Sequence, residues 1–217
     1  MKTRTILTVA ALTLFAAPPS HAKEGVVQCA NLIYAGTVTS RCFSDEFLSE
    51  AQRKTTIKTE RRFKPVKMAS DELFKYPFAI MTGEGDFRLA GKEREKLKKY
   101  LNSGGFLLAS AGCSSASYDT AFRTEMKTIF GAGALKRIDI KHPIYRTVKK
   151  IEQFDMKSDV GEVFLEGVEV GGKLVVVYSK EGLNDTSHTE GCCCCGGNEI
   201  RNSLMLNVNI FAYALLH

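Results

Sequence analysis

Three short runs of uninterrupted apolar residues most constrain what this chain can become: PFAIMT at 77–82, FLLAS at 106–110 and LVVVYS at 174–179. A strand with one wet face alternates apolar and polar residues. A run that is apolar throughout is buried on both sides, as in a parallel sheet covered by helices. The intervening segments have helical spacing. Residues 91–103 carry Leu97, Tyr100 and Leu101 on one stripe, and Gly104-Gly105 stops that helix. Residues 119–130 carry Phe122, Met126, Ile129 and Phe130. Upstream, a strand is predicted over 26–35 and a helix from Asp45 to about residue 55, burying Phe47, Leu48 and Ala51. An outer strand over 57–63 is expected to end at Pro65, with extended pieces around 135–140 and 143–147. Two strands over 163–170 and 173–179 turn back through Gly171-Gly172. Asn198 stands where it would cap a last helix, 199–216, with Ile200, Leu204, Val208, Phe211 and Leu215 inward. The alternation predicts an α/β domain with a mostly parallel sheet and helices on both faces.

The first 22 residues read differently. Lys2 and Arg4 precede an uncharged apolar stretch, Pro18-Pro19 breaks it, and Ser20-His21-Ala22 has the small residues that signal peptidase requires. We expect a cleavable secretory signal over 1–22 and one domain over 23–217, delivered to the periplasm or otherwise outside the cytoplasm. No later segment is long and apolar enough to leave a transmembrane anchor. Cleavage removes Lys2 and Arg4 from a formal net charge of +6. The balance that remains, with no reading motif, argues against nucleic acid, and an envelope protein is the partner to expect. One stretch is denser in charge. Arg53, Lys54, Lys58, Arg61, Arg62, Lys64 and Lys67 are opposed only by Glu60, which suits a solvated face or a weak preference for anionic surfaces.

In such a sheet, ligands gather in the loops leaving the carboxyl ends of the strands. Three loops qualify: 83–86 with Glu84, 111–115 with Cys113, and 184–197 with His188, Glu190 and the quartet Cys192, Cys193, Cys194 and Cys195. The loop 36–44, with Cys42, is a fourth. Seven cysteines in an exported chain leave at least one thiol unpaired within it. Adjacent side chains on an extended chain point apart, so one ion cannot take the whole quartet. Alternate members, with Cys113, His188 or a peripheral Glu84, would suit zinc or cuprous copper. A disulfide-stapled loop, with Cys113 or Cys42 as partner, explains the same residues. Cys29 and Cys42 are candidates for a structural disulfide, with Cys29 as a small buried strand residue the alternative. A different constellation places Cys113 as nucleophile in a strand-to-helix turn, with His188 as base and Glu190 orienting it. The simpler reading of Cys113, and the one to prefer from its type alone, is an inert small core residue.

Several longer segments carry a resemblance: NLIYAG at 31–36, YPFAIMTGEGDFRL at 76–89, YLNSGGFLLAS at 100–110, FRTEMKTIFG at 122–131, HPIYRT at 142–147, LEGVEVGGKLVVVYS at 165–179 and GCCCCGGNEI at 191–200. Together they resemble the uncharacterised bacterial family catalogued as domain of unknown function 4159, over nearly all of the chain beyond the signal. That resemblance implies a fold like class I glutamine amidotransferases, a flavodoxin-like three-layer sandwich. It implies Cys113 at the nucleophile position and His188 with Glu190 as the dyad. The amidotransferase turn has glycine two residues either side of its cysteine, where Ala111 and Ser115 stand here. The leading expectation is a periplasmic binding protein with a cysteine-rich metal or thiol site. A cysteine-dependent amidase-like hydrolase and a non-catalytic interaction module are the alternatives.

Overall fold

A computed structural model of the chain describes residues 25–40, 42–156, 161–189 and 200–217. The signal segment lies outside the described residues. The strands and helices run β1 (Val26–Val27), β2 (Cys29–Tyr34), β3 (Val38–Thr39), α1 (Glu46–Lys54), β4 (Lys58–Thr59), β5 (Lys64–Lys67), β6 (Phe78–Gly83), α2 (Gly91–Asn102) and β7 (Phe106–Ala111). There follow α3 (Ala116–Phe130), β8 (Lys136–Arg137), β9 (Glu166–Val170), β10 (Lys173–Ser179) and α4 (Ser203–Leu216). The architecture is mixed α/β around a mostly parallel sheet. Strands β5, β2, β6, β7 and β10 pair in that order and all in parallel. The hairpin partner β9 joins β10 antiparallel, and β8 closes that edge.

The three apolar runs become the middle of this sheet because both of their faces are covered. Ala79, Met81, Ala109 and Tyr178 point into a core with Leu97, Leu101, Phe122 and Met126 of α2 and α3. Their neighbours Phe78, Ile80, Leu108 and Val177 point the other way, into a core with Phe47 and Leu48 of α1 and Leu206 and Phe211 of α4. Phe78 is fully buried in this second core. Its ring stacks on Phe106 at 5.6 Å and meets Phe211 edge-on at 5.3 Å.

Three boundaries depart from the sequence expectation. Pro65 does not end a strand but lies within β5, which pairs with β2 and forms an edge of the sheet, where a missing N–H is tolerated. Residues 143–145 form a single 3₁₀ turn, with the His142 side chain accepting from the Ile144 N–H. The final helix begins at Ser203, because Ile200 bridges to Met156 and a turn at Arg201 and Asn202 then leads into it. The expected cap, Asn198, lies outside the described residues.

Candidate functional site

Each apolar run ends on a hydroxyl residue, and the register aligns the three. Thr82 pairs with Ser110, and Ser110 with Ser179, across β6, β7 and β10. All three are buried. They build the floor of the carboxyl edge. Thr82 Oγ donates to Asn184 Oδ1 at 3.2 Å, and its N–H donates to Ser40 Oγ at 2.8 Å. Ser110 Oγ accepts from the Leu183 N–H at 2.6 Å. From the far side, Asn207 of α4 donates to the Leu183 carbonyl at 2.8 Å, and the Ser44 N–H reaches the Asn184 carbonyl at 2.8 Å. The segment 183–184 is thereby held by the strand ends, by α4 and by the loop that carries Cys42.

This clamp presents Asp185. The residue is buried and sits in the left-handed region at φ 54°, ψ 50°. Both of its carboxylate oxygens lie 2.8 Å from Nδ1 of His188. The His188 side chain is 48% exposed. With Nδ1 taken, Nε2 is the ring atom left for solvent or ligand. The structure thus supplies an acid for His188 that the sequence reading missed. The predicted acid, Glu190, lies outside the described residues, as do Cys192, Cys193, Cys194 and Cys195.

The turn after β7 is also left-handed. Cys113 has φ 52°, ψ 28°, and Ser114 follows at φ 52°. Gly112 before them is closely approached: a Cβ there would stand 3.0 Å from Glu84 Cγ and 3.2 Å from the Gly83 carbonyl oxygen, so these neighbours would have to give way slightly. Cys113 Sγ lies 3.3 Å from Glu84 Oε1. Ser114 Oγ donates to the Glu181 carbonyl at 3.2 Å, tying this turn to the loop after β10. Ser115 caps α3 by accepting from the Tyr118 N–H at 3.3 Å, and its hydroxyl donates to the Glu84 carbonyl. Three loops therefore meet where the sequence placed them. Among the described residues, the non-glycine residues with positive φ are Ala35, Cys113, Ser114 and Asp185. All four follow carboxyl ends of parallel strands, so the backbone strain, about 1 kcal/mol or more per residue, is concentrated at this edge.

The electrostatics of the turn are acidic. Burial raises the Glu181 carboxyl, helped by Asp119 and Glu166 and opposed by Lys180. A carboxylate 3.3 Å from the Cys113 sulfur opposes a thiolate there, whereas reactive cysteines sit in electropositive surroundings. Cys29 is a free thiol, fully buried in β2 against the α1/α4 core, and burial pushes it well up. The candidate pairing of Cys29 with Cys42 is thereby corrected: the Cys29 side chain points into the packed core, where it acts as a small apolar residue. Among the described residues, no group of three or more His, Cys, Asp or Glu side chains comes together to hold a metal. The described part of the expected ligand set is Cys113, His188 and Glu84. Of these, Cys113 meets Glu84, and His188 is joined to Asp185.

A family model described as a domain of unknown function, DUF4159, matches residues 28–215. No curated protein matches. Among solved structures, the cytoplasmic protein STM3548 from Salmonella typhimurium aligns with a TM-score of 0.42 and 12% identity, over 86% of this chain and 98% of that one.

Proposed function

The chain belongs to the DUF4159 family of unknown function, and on that premise we propose that it is an exported binding domain whose carboxyl-edge cysteine site works through its thiol–disulfide state. The observation that carries this reading is Cys113, on a left-handed turn with a carboxylate rather than a cation at its sulfur, a setting for a disulfide sulfur rather than a thiolate nucleophile. Disulfides at Cys42 and Cys113 would suit the periplasm, to which residues 1–22, read as a signal, would direct the chain. Each disulfide takes up two electrons and two protons from a dithiol donor to give two thiols. Reduction would release the loops carrying Cys42 and Cys113 from that constraint. The quartet Cys192, Cys193, Cys194 and Cys195 belongs to the same reading, as a source of disulfide partners or exchange thiols. The fold is read as flavodoxin-like, like the class I amidotransferases, because the parallel strands β5, β2, β6, β7 and β10 follow that order, second-first-third-fourth-fifth.

Thiol counting on protein purified without reductant or chelator tests this, together with elemental analysis. The expected result is a metal-free protein in which Cys29 reacts only after unfolding, and in which Cys42 and Cys113 become alkylatable only after reduction. Peptide mapping of the unreduced protein then identifies the disulfide partners. Stoichiometric zinc or copper that is lost in Cys113→Ser would overturn the reading in favour of a metal site.

One observation favours a second reading, a cysteine-dependent amidase-like hydrolase. The Asp185–His188 pair has the geometry of a base with its orienting acid. Cys113 would then need to be reduced before acting as nucleophile. Fast alkylation of reduced Cys113 by iodoacetamide near neutral pH, slowed in Asp185→Asn, supports hydrolysis; ordinary thiol reactivity removes it.

A further inference from the structure

The basic run that the cysteine site leaves unused is folded into a groove. Its first two cations are neutralised along α1, where Arg53 pairs with Glu46 and Glu50, and Lys54 with Glu50. The rest are not. Among the described residues, Lys58, Arg61, Arg62, Lys64 and Lys67 make no ion pair. Elsewhere the arginines of the core layers are tied down, Arg94 to Glu125 and Arg123 to Asp119 and Glu166.

Unpaired surface cations are ordinary when they fan outward into water. Here four of them line a concavity. Lys58, Arg61, Arg62 and Lys64 border a cavity of about 740 Å³ together with Gln28, Gln52 and a single carboxylate, Glu60. Three pieces of chain build it. The parallel pairing of Val26 with Lys58 and Val27 with Thr59 brings β4 beside β1. The Gln52 side chain accepts from the Thr59 N–H at 3.3 Å and fixes that wall to α1. Strand β5, paired with β2 on the sheet edge, supplies Lys64. The four cations are exposed, while Thr59 beneath them is buried.

We propose that this groove is a binding site for a phosphate-bearing ligand, separate from the carboxyl-edge cysteines. Adjacent guanidinium groups match phosphate oxygens bidentately, and the lysines add charge without demanding one geometry. Four cations around one carboxylate leave a positive surplus that one or more phosphate groups would offset. The phosphate can belong to a soluble anion or to the headgroup of an anionic lipid.

Calorimetry with inorganic pyrophosphate, and co-sedimentation with phosphatidylglycerol vesicles against phosphatidylcholine vesicles, test the site on the purified protein near physiological salt. We expect saturable binding that weakens at least ~10-fold in Arg61→Gln/Arg62→Gln, as loss of two charged hydrogen-bonding groups implies. The control Lys92→Gln/Lys98→Gln removes the same charge from exposed positions on α2 and should leave binding unchanged. Both pairs are exposed, so equal thermal melting of all three proteins verifies the fold. Binding of pyrophosphate without vesicle binding identifies a soluble anion as the ligand; vesicle binding alone identifies the lipid headgroup. The proposal is overturned if neither probe binds, or if the control pair weakens binding as much as the arginine pair.

Discussion

His142 shows how a residue's surroundings set its chemistry. Its ring lies 5.3 Å from that of Tyr213, and its Nδ1 accepts from the Ile144 N–H at 3.2 Å. Desolvation by burial lowers its pKa from the usual 6.5; His217 and Arg146 act in the same direction and Glu169 against it. A depressed histidine contributes stability that is present above its ordinary pKa and is lost as pH falls through the lower folded value. Protonation at Nδ1 also removes the acceptor for Ile144. Thermal melts at neutral pH and at about pH 5 should therefore show a smaller acid-side drop in His142→Asn, whose side chain still accepts that N–H but does not titrate. An unchanged drop would assign the acid sensitivity to other groups. Cys29 is the contrasting residue. Its core environment leaves it a packing role, although its type alone had made it a disulfide candidate.

At the scale of an element, α3 starts where Ser115 lets it. The expected helix begins at Asp119, but Ser115 accepts from the Tyr118 N–H and starts the helix at Ala116. The same hydroxyl donates to the Glu84 carbonyl, so one side chain joins the helix start to the loop after β6. Ser115→Ala should cost about 1–2 kcal/mol in urea denaturation, through the lost cap and the lost loop contact. Ser115→Thr should recover most of it. Equal stability of Ser115→Ala and the parent protein would show that water replaces both bonds without penalty. Strand β5 carries a related lesson. Pro65 reads locally as a stop, yet the strand continues because its backbone pairs with β2 on the inner side.

For the whole molecule, the proposed disulfides at Cys42 and Cys113 would constrain two loops on the carboxyl edge. A disulfide typically contributes about 2–4 kcal/mol, largely by restricting the unfolded chain. Differential scanning fluorimetry with and without dithiothreitol should show a lower Tm on reduction. Cys29→Ala should keep that reductant-induced shift, since Cys29 is free, while Cys42→Ser/Cys113→Ser should abolish it. A shift that survives in the double serine variant would place the reductant-sensitive bond elsewhere.

The layered architecture was legible in the sequence because burial on both faces leaves a local signature. PFAIMT, FLLAS and LVVVYS can lie only where helices cover both sides, and the helical stripes between them supply those covers. The Gly171-Gly172 hairpin and the meeting of the Glu84, Cys113 and His188 loops at one edge follow from the same pattern. A signal was available for the floor of the site as well, since each apolar run ends on a hydroxyl residue, but only strand register shows that Thr82, Ser110 and Ser179 align. Tertiary structure alone decided that Asp185 holds His188, that Cys29 faces the core, and that Lys58, Arg61, Arg62 and Lys64 surround one groove. These depend on contacts between residues distant in the chain and on left-handed backbone that surrounding bonds hold in place. Residue type and spacing carry the burial pattern, because burial repeats with the geometry of each element. They do not carry the meeting of particular side chains, because register and loop conformation are settled by the packing of the whole domain.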